Sequence, residues 1–332
     1  VSENLMELVM PRSRMFAVAL FLLIFVSGCA KPAPAATSGK LRVVSTVSPI
    51  TNIIQNVGGD RIDVTGIVPE GVNSHTFEPA PSDARLLAQA DIIFVNGLLL
   101  EEPTIKLAEA NKAEGVEIVS LGEQTVTPEE YVFDFSFPKE AGNPNPHLWM
   151  NPRYAARYAE LVAESLAVAD PANADFYRAN SAAFAERIDA LDKAITATAA
   201  TIPAENRRLL TYHDSFAYFA PRYGFTVLGA VQPADFSEPS AQEMARLITQ
   251  LREEKIPAIF GSEVFASPIL EQIAKESGAV FIDQLRDDDL PGEPGDANHS
   301  YFGLLVEDMR VMAEALGGDA SGLDGIETGN LP

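Results

Sequence analysis

The chain has 332 residues, with 24 Lys and Arg against 47 Asp and Glu, giving a formal net charge of −23. That balance excludes a phosphate-neutralising surface, and nucleic-acid binding with it; it suits solubility or a cationic ligand. With 47% hydrophobic and 21% charged residues, the chain can build one large domain or two lobes of ordinary size.

The N-terminal residues read as an export signal. Arg12 and Arg14 precede an unbroken apolar stretch from Met15 to Val26, and Ser27, Gly28 and Cys29 follow. A basic segment, a short apolar segment and small residues make a secretory signal, and the apolar part is too short for a comfortable membrane span. Val26-Ser27-Gly28-Cys29 also resembles a bacterial lipobox, in which Cys29 is lipidated and becomes the new N-terminus. The alternative is a cleaved signal with an incidental cysteine. Cys29 is the one cysteine of the chain, so no disulfide forms within it. Residues 29–40 are rich in Pro, Ala, Ser and Gly and read as a flexible tether between a lipid anchor and a folded body.

Strands and helices then alternate. A strand over 41–47 leads to Ser48-Pro49, a good cap and first helical residue. Ile50, Ile53, Ile54 and Val57 follow at helical spacing until Gly58-Gly59 stops the helix. Strands are predicted at 62–68, 92–95 and 116–119, with helices at 82–90 and 103–113. A helix starts after Asn151-Pro152. From Ala172 to Ile202 there is no Gly or Pro, and Phe184, Ile188, Leu191 and Ile195 keep one apolar stripe. At 1.5 Å per residue that helix spans roughly 40 Å, long enough for a rigid connector. The alternation restarts with a strand at 208–212, a helix through 216–219 and a strand at 226–231. Ser240 and Glu243 form a capping box. Further strands fit 258–260 and 279–282, and a last helix fits 302–315.

The fold class is therefore α/β: two lobes, each a mostly parallel sheet flanked by helices, joined by one long rigid helix. The expected boundaries are a signal at 1–28, the tether at 29–40, an N-terminal lobe at 41–168, a connecting helix at 169–202, a C-terminal lobe at 203–318 and a loose tail at 319–332.

Four histidines occur: His75, His147, His213 and His299. His75 lies in a loop after the second predicted strand, His147 just before a helix start, and His213 directly after the strand at 208–212. The acidic run Asp287-Asp288-Asp289 follows the strand at 279–282. Three of these four segments lie at C-terminal strand ends, where open α/β sheets bind ligands. Two come from each half, so a cleft between lobes is their natural meeting point. Three imidazoles and one carboxylate make a compact set suited to zinc, whereas manganese prefers a more oxygen-rich shell.

The segments NSHTFEPAPSD, NPHLWMNP, LLTYHDSFAYFAPRYGF and EPSAQEMARLITQLREEKIPAIFGSEVFASP, with the acidic segment before SYFGLLVEDM, resemble the metal-specific solute-binding lipoproteins of ABC importers for zinc and manganese. The likeness covers roughly residues 41–316. It implies a metal held in the interlobe cleft by His75, His147, His213 and one aspartate. The family pattern aligns that aspartate with Asp288, flanked by Asp287 and Asp289. It further implies delivery to an ABC permease and its ATPase subunit, an extracytoplasmic, lipid-anchored location and a monomeric, non-enzymatic protein. Manganese-type members carry a glutamate at the third ligand position, so His213 favours zinc, with manganese or iron as the alternatives. Many zinc members carry a His-rich acidic loop between the first two ligands. Residues 123–146 here hold acids but no histidine.

Two other readings compete. A zinc hydrolase with Glu263 or Glu78 as base would need an open coordination site, and the sequence has no HExxH. A role in adhesion draws nothing from the residues. His299 matches no ligand motif and reads as a surface or supporting residue, and Trp149 reads as core. No Walker A pattern occurs, so ATP hydrolysis belongs to another subunit.

Overall fold

A computed structural model describes residues 39–232, 237–264 and 268–332. The export signal, Cys29 and all but the last two residues of the tether lie outside the described residues.

Strand β1 (Leu41–Ser45), helix α1 (Ser48–Gly58), β2 (Ile62–Gly66), α2 (Asp83–Gln89), β3 (Ile92–Val95), α3 (Glu102–Asn111) and β4 (Ile118–Ser120) build the first half. Their order in the sheet is β2-β1-β3-β4, all parallel. Helix α1 begins at Ser48-Pro49, where proline lacks only an N–H that a first turn leaves unused. The cap is one residue earlier than the sequence suggested: Val47 carbonyl accepts from Thr51 N at 2.9 Å. Its Ile50, Ile53, Ile54 and Val57 are all buried.

Helices α4 (Pro152–Ala169) and α5 (Ala174–Thr201) follow. Asn151 caps α4, its side chain accepting from Arg153 N. The long helix is 28 residues rather than the whole of 169–202. Pro171–Asn173 forms a separate 3-10 turn before it, because Asp170-Pro171 interrupts helical hydrogen bonding. The stripe of Tyr177, Phe184, Ile188, Leu191 and Ile195 is fully buried.

The second half repeats the first. It contains β5 (Arg208–Thr211), α6 (Ala220–Tyr223), β6 (Thr226–Ala230), α7 (Ala241–Glu254), β7 (Ala258–Ser262), α8 (Pro268–Ser277), β8 (Val280–Leu285) and α9 (Tyr301–Ala315). Its sheet order is β6-β5-β7-β8, again all parallel. Ser240 and Glu243 make the reciprocal capping bonds at the start of α7. The helix expected through 216–219 is instead a buried turn, and α6 starts at Ala220. Phe216, Ala217, Tyr218 and Phe219 are all buried, so this segment has no polar face to spare for a surface helix.

One core runs through both halves. It joins Val43, Phe94 and Trp149 to Leu209, Phe260 and Leu285, with the stripes of α5 and α9 between them. Phe184 on α5 packs 4.9 Å from Phe302 and 5.8 Å from Tyr301, centroid to centroid. Smaller clusters cover the outer faces of each sheet. The tail expected to be loose is tied down instead. Leu323 is buried, Leu331 N donates to Asn56 Oδ1 at 2.7 Å, and Arg187 Nη2 donates to Glu327 carbonyl at 2.6 Å. Its few apolar side chains and backbone donors find partners on α1 and α5, which its Gly-rich composition did not reveal.

Candidate metal centre

Parallel strands present their C-terminal ends on one side, and the loops leaving those ends carry the site. His75 stands nine residues past β2, and His213 two residues past β5. His147 opens a 3-10 turn that feeds α4. The three rings converge through the same atom. His147 Nε2 lies 3.1 Å from His75 Nε2 and 3.2 Å from His213 Nε2. Tetrahedral ligands about 2.0–2.1 Å from one zinc ion stand about 3.3 Å apart, so this spacing is that of atoms sharing a metal.

The carboxylate facing the rings is Asp287, not Asp288. Asp287 Oδ2 is 3.0 Å from His213 Nε2 and 3.7 Å from His147 Nε2. Asp288 also brings an oxygen within 4.8 Å of ligand atoms of His147 and Asp287. Both its oxygens, however, are taken by Ser74: Oδ2 accepts from the backbone N–H and Oδ1 from the hydroxyl, each at 3.0 Å. Asp289 Oδ2 accepts from Gly71 N at 2.7 Å. The acidic triplet is thus divided. One carboxylate turns to the histidines, and two clasp the first-half loop that carries His75. A sequence alignment cannot separate three adjacent aspartates; the chain direction after β8 does. Between Phe260 and Ser262 the β7–β8 register slips by one residue, leaving Ser262 opposite Leu285. Such a bulge re-aims the chain that leaves it.

Supporting groups fix the ligands. Asn145 Oδ1 lies 2.9 Å from His147 Nδ1 and also accepts from His147 N. An imidazole that donates from Nδ1 keeps its lone pair on Nε2, the atom aimed at the site. Trp149 Nε1 donates to the Asp287 carbonyl at 2.8 Å, and Tyr301 hydroxyl donates to the Trp149 carbonyl at 2.6 Å. Trp149 is therefore core, as read, and also a strut under the acidic loop. Phe137 lies over the site, its ring 5.4 Å from His75 and 5.8 Å from His147. The His-free segment 123–146 thus serves as a cover. Val132 N donates to the Tyr218 hydroxyl, and Asp214 N to Ser136 Oγ, pinning that cover to the second half. His299 stands apart from the three rings, 3.5 Å from Glu70.

Electrostatics divides along the same line. The His75 ring is enclosed by Phe137, His147 and His213, and this desolvation, with the nearby His213, pulls its pKa down to about 3. Burial, then the neighbouring rings, lowers His147 well below the usual histidine range. Burial also opposes charge on His213, but Asp287 outweighs it and lifts the pKa to about 9. Asp287 shows the counterpart: burial raises it, His213 overrides burial, and it stays lowered. Burial and the charge of Asp287 push Asp288 up to about 7. These shifts favour a His213–Asp287 ion pair beside two neutral imidazoles. A divalent cation replacing that proton would meet four ready donors.

Sequence reasoning did not find Asn145, Phe137, Ser74 or the strut role of Trp149. Asn145 stood two residues from a candidate ligand in a loop, and no periodicity marks such a side chain.

The family model for ZnuA, the periplasmic component A of a zinc-uptake complex, matches residues 43–315. The manganese ABC transporter substrate-binding lipoprotein PsaA of Streptococcus pneumoniae is 30% identical over 316 residues, covering 90% of this chain and 97% of that protein. The iron-binding protein YfeA of Yersinia pestis is 32% identical over 300 residues, covering 90% and 94%. The periplasmic zinc-binding protein TroA of Treponema pallidum superposes with a TM-score of 0.76 at 27% identity, over 84% of this chain and 99% of that one.

Proposed function

Because the chain belongs to the ZnuA family of metal-binding substrate-binding proteins of ABC importers, we propose that it captures zinc through His75, His147, His213 and Asp287. The observation that carries this reading is the convergence of three Nε2 atoms and one carboxylate oxygen, with ligand-to-ligand separations of 3.0, 3.1, 3.2 and 3.7 Å. Four protein ligands leave no open position, which suits capture rather than catalysis. The family is one of solute-binding proteins, not enzymes. Three imidazoles favour zinc over a harder ion. A second reading, manganese or iron as cargo, is favoured by the names of PsaA and YfeA.

In this proposal the protein works outside the cytoplasmic membrane as a monomer held by a lipid on Cys29. It passes the ion to a permease driven by a separate ATPase subunit. No described helix is long and apolar enough to cross a membrane. Expected boundaries carry over as a proposal: a first lobe ending near 168, the connector through 202 and a second lobe from 203.

The test is chelator competition on the metal-stripped protein with Zn²⁺ and Mn²⁺ in parallel. One-to-one zinc binding, tighter than manganese, is expected. Tighter manganese binding would move the cargo to the second reading, and no binding of either would remove the site.

A further inference from the structure

Glu263 is the first residue beyond β7, and its carboxylate is turned inward beneath the acidic loop. Its Oε1 accepts the backbone N–H of three successive residues, Asp287, Asp288 and Asp289, at 2.9, 3.0 and 3.0 Å. The preceding N–H, that of Arg286, goes to Asp308 Oδ1 on α9 at 3.0 Å. Four consecutive amides of the loop are thus held by two carboxylates. On the other side, Ser262 Oγ lies 3.0 Å from Glu263 Oε2 and 3.1 Å from Asp287 Oδ1. The second oxygen of Asp287 is the one facing His213 and His147.

Three amides pointing at one atom form a concave turn of fixed shape, a nest. A loop of three adjacent aspartates repels itself, and the partners of its side chains, His213, Ser74 and Gly71, leave its backbone amides to be held by other groups. Some group must hold that turn, and the strand register sets Glu263 beside it, since Ser262 pairs with Leu285.

We infer that Glu263 is the positioning residue of the metal centre: it folds the backbone of residues 287–289 around its Oε1 and, through Ser262, orients Asp287 so that Oδ2 alone is presented to the metal. The inference rests on the four-ligand reading above. It assigns Glu263 a different part from the catalytic base of a hydrolase, because Oε1 is already saturated by backbone donors. Substituting groups that orient metal ligands typically lowers affinity about 10–100-fold.

The test compares Glu263→Gln and Glu263→Ala by Zn²⁺ competition and by the visible spectrum of the Co²⁺-loaded protein, with thermal melting of each metal-free form. Glutamine keeps both contacts: its amide oxygen accepts the three N–H groups, and its amide nitrogen donates to Ser262 Oγ, freeing that hydroxyl to donate to Asp287. Glu263→Gln is expected to bind zinc within about threefold of the parent and to keep its Co²⁺ bands. Glu263→Ala is expected to bind about 10–100-fold more weakly, with bands shifted by loss or misplacement of the carboxylate ligand. Equal affinity and spectrum in Glu263→Ala and the parent would overturn the inference. If Glu263→Ala does not fold, Glu263→Gln decides: a tenfold loss of affinity in a folded Gln variant would mean that charge, not hydrogen-bond geometry, is what the site needs. Failure of the parent itself to bind would overturn the four-ligand reading instead, and is read separately.

Discussion

The two halves share a strand order and present opposite chemistry to the cleft. The first sheet runs β2-β1-β3-β4 and the second β6-β5-β7-β8, all parallel, with the strand order reversing at the corresponding place in each. From the first half come His75 and His147, both held neutral by burial. From the second come His213 and Asp287, which face each other as an ion pair, so that half carries the charge. The halves also differ in solidity. The interior strands β3 and β7 are alike, buried over all or all but one residue, whereas edge strand β4 is buried or half-buried and its counterpart β8 is exposed or half-buried over all but its last residue. The difference teaches where a repeated scaffold keeps its freedom: the fold is duplicated, and function enters through loops that leave equivalent strand ends.

The contrast is bounded by a shared interior. Residues 41–332 form one compact unit, since α5 and α9 carry one core across both sheets. Phe184→Ala removes a fully buried ring from that seam and should cost about 3–5 kcal/mol. Urea unfolding followed by Trp149 fluorescence and by circular dichroism should give coincident transitions, both shifted down. Two separated transitions would mean that the halves are independent bodies.

A smaller effect probes the first half's neutral rings. Asn145→Ala should free the His147 ring and weaken zinc binding about 10–100-fold. Asn145→Asp keeps an acceptor for the ring but sets a carboxylate against Asp134 Oδ2 and the Asp214 carbonyl, to which the amide nitrogen now donates, and should lose at least as much. Unchanged affinity in Asn145→Ala, measured by chelator competition, would mean that Asn145 does not orient the ring.

The smallest effect concerns pH. His213, raised to about 9, contributes stability that is present below its unfolded value and lost as pH climbs through 9. Asp288 and Glu263, raised to about 7 and about 8, bind more protons folded than unfolded, so they too lose stability as pH rises to those values. His75 and His147 are depressed and act the other way, but only below about 6.5, where the unfolded chain's histidines charge. The metal-free protein should therefore melt at falling temperature from pH 6.5 to 9. The zinc-loaded form should fall less, because deprotonated ligands hold the ion more tightly. A flat or rising metal-free profile would show that the second half does not hold its charges as described.

Much of this was legible in the sequence, for identifiable reasons. Alternating short apolar runs and helical stripes marked both sheets, and the gap-free stripe of Phe184, Ile188, Leu191 and Ile195 marked the long helix. Three histidines stood out because they followed strand ends or preceded a helix. Illegible was whatever depends on the path of the chain in a loop. The β7–β8 register slips after Phe260, and the three aspartates beyond β8 go to different partners; no residue pattern encodes that path. The tail was likewise misjudged, because Leu331 and Asn56 meet across 275 positions of sequence.

The most direct measurement is a side-by-side zinc titration of Asp287→Ala and Asp288→Ala. A binding free energy of about 10–16 kcal/mol shared by four ligands assigns each roughly 3 kcal/mol, a factor on the order of 100. Asp287→Ala should lose about that much affinity, and Asp288→Ala, which loosens only the clasp on Ser74, about tenfold or less. The reverse order would contradict the assignment and return the fourth ligand to Asp288.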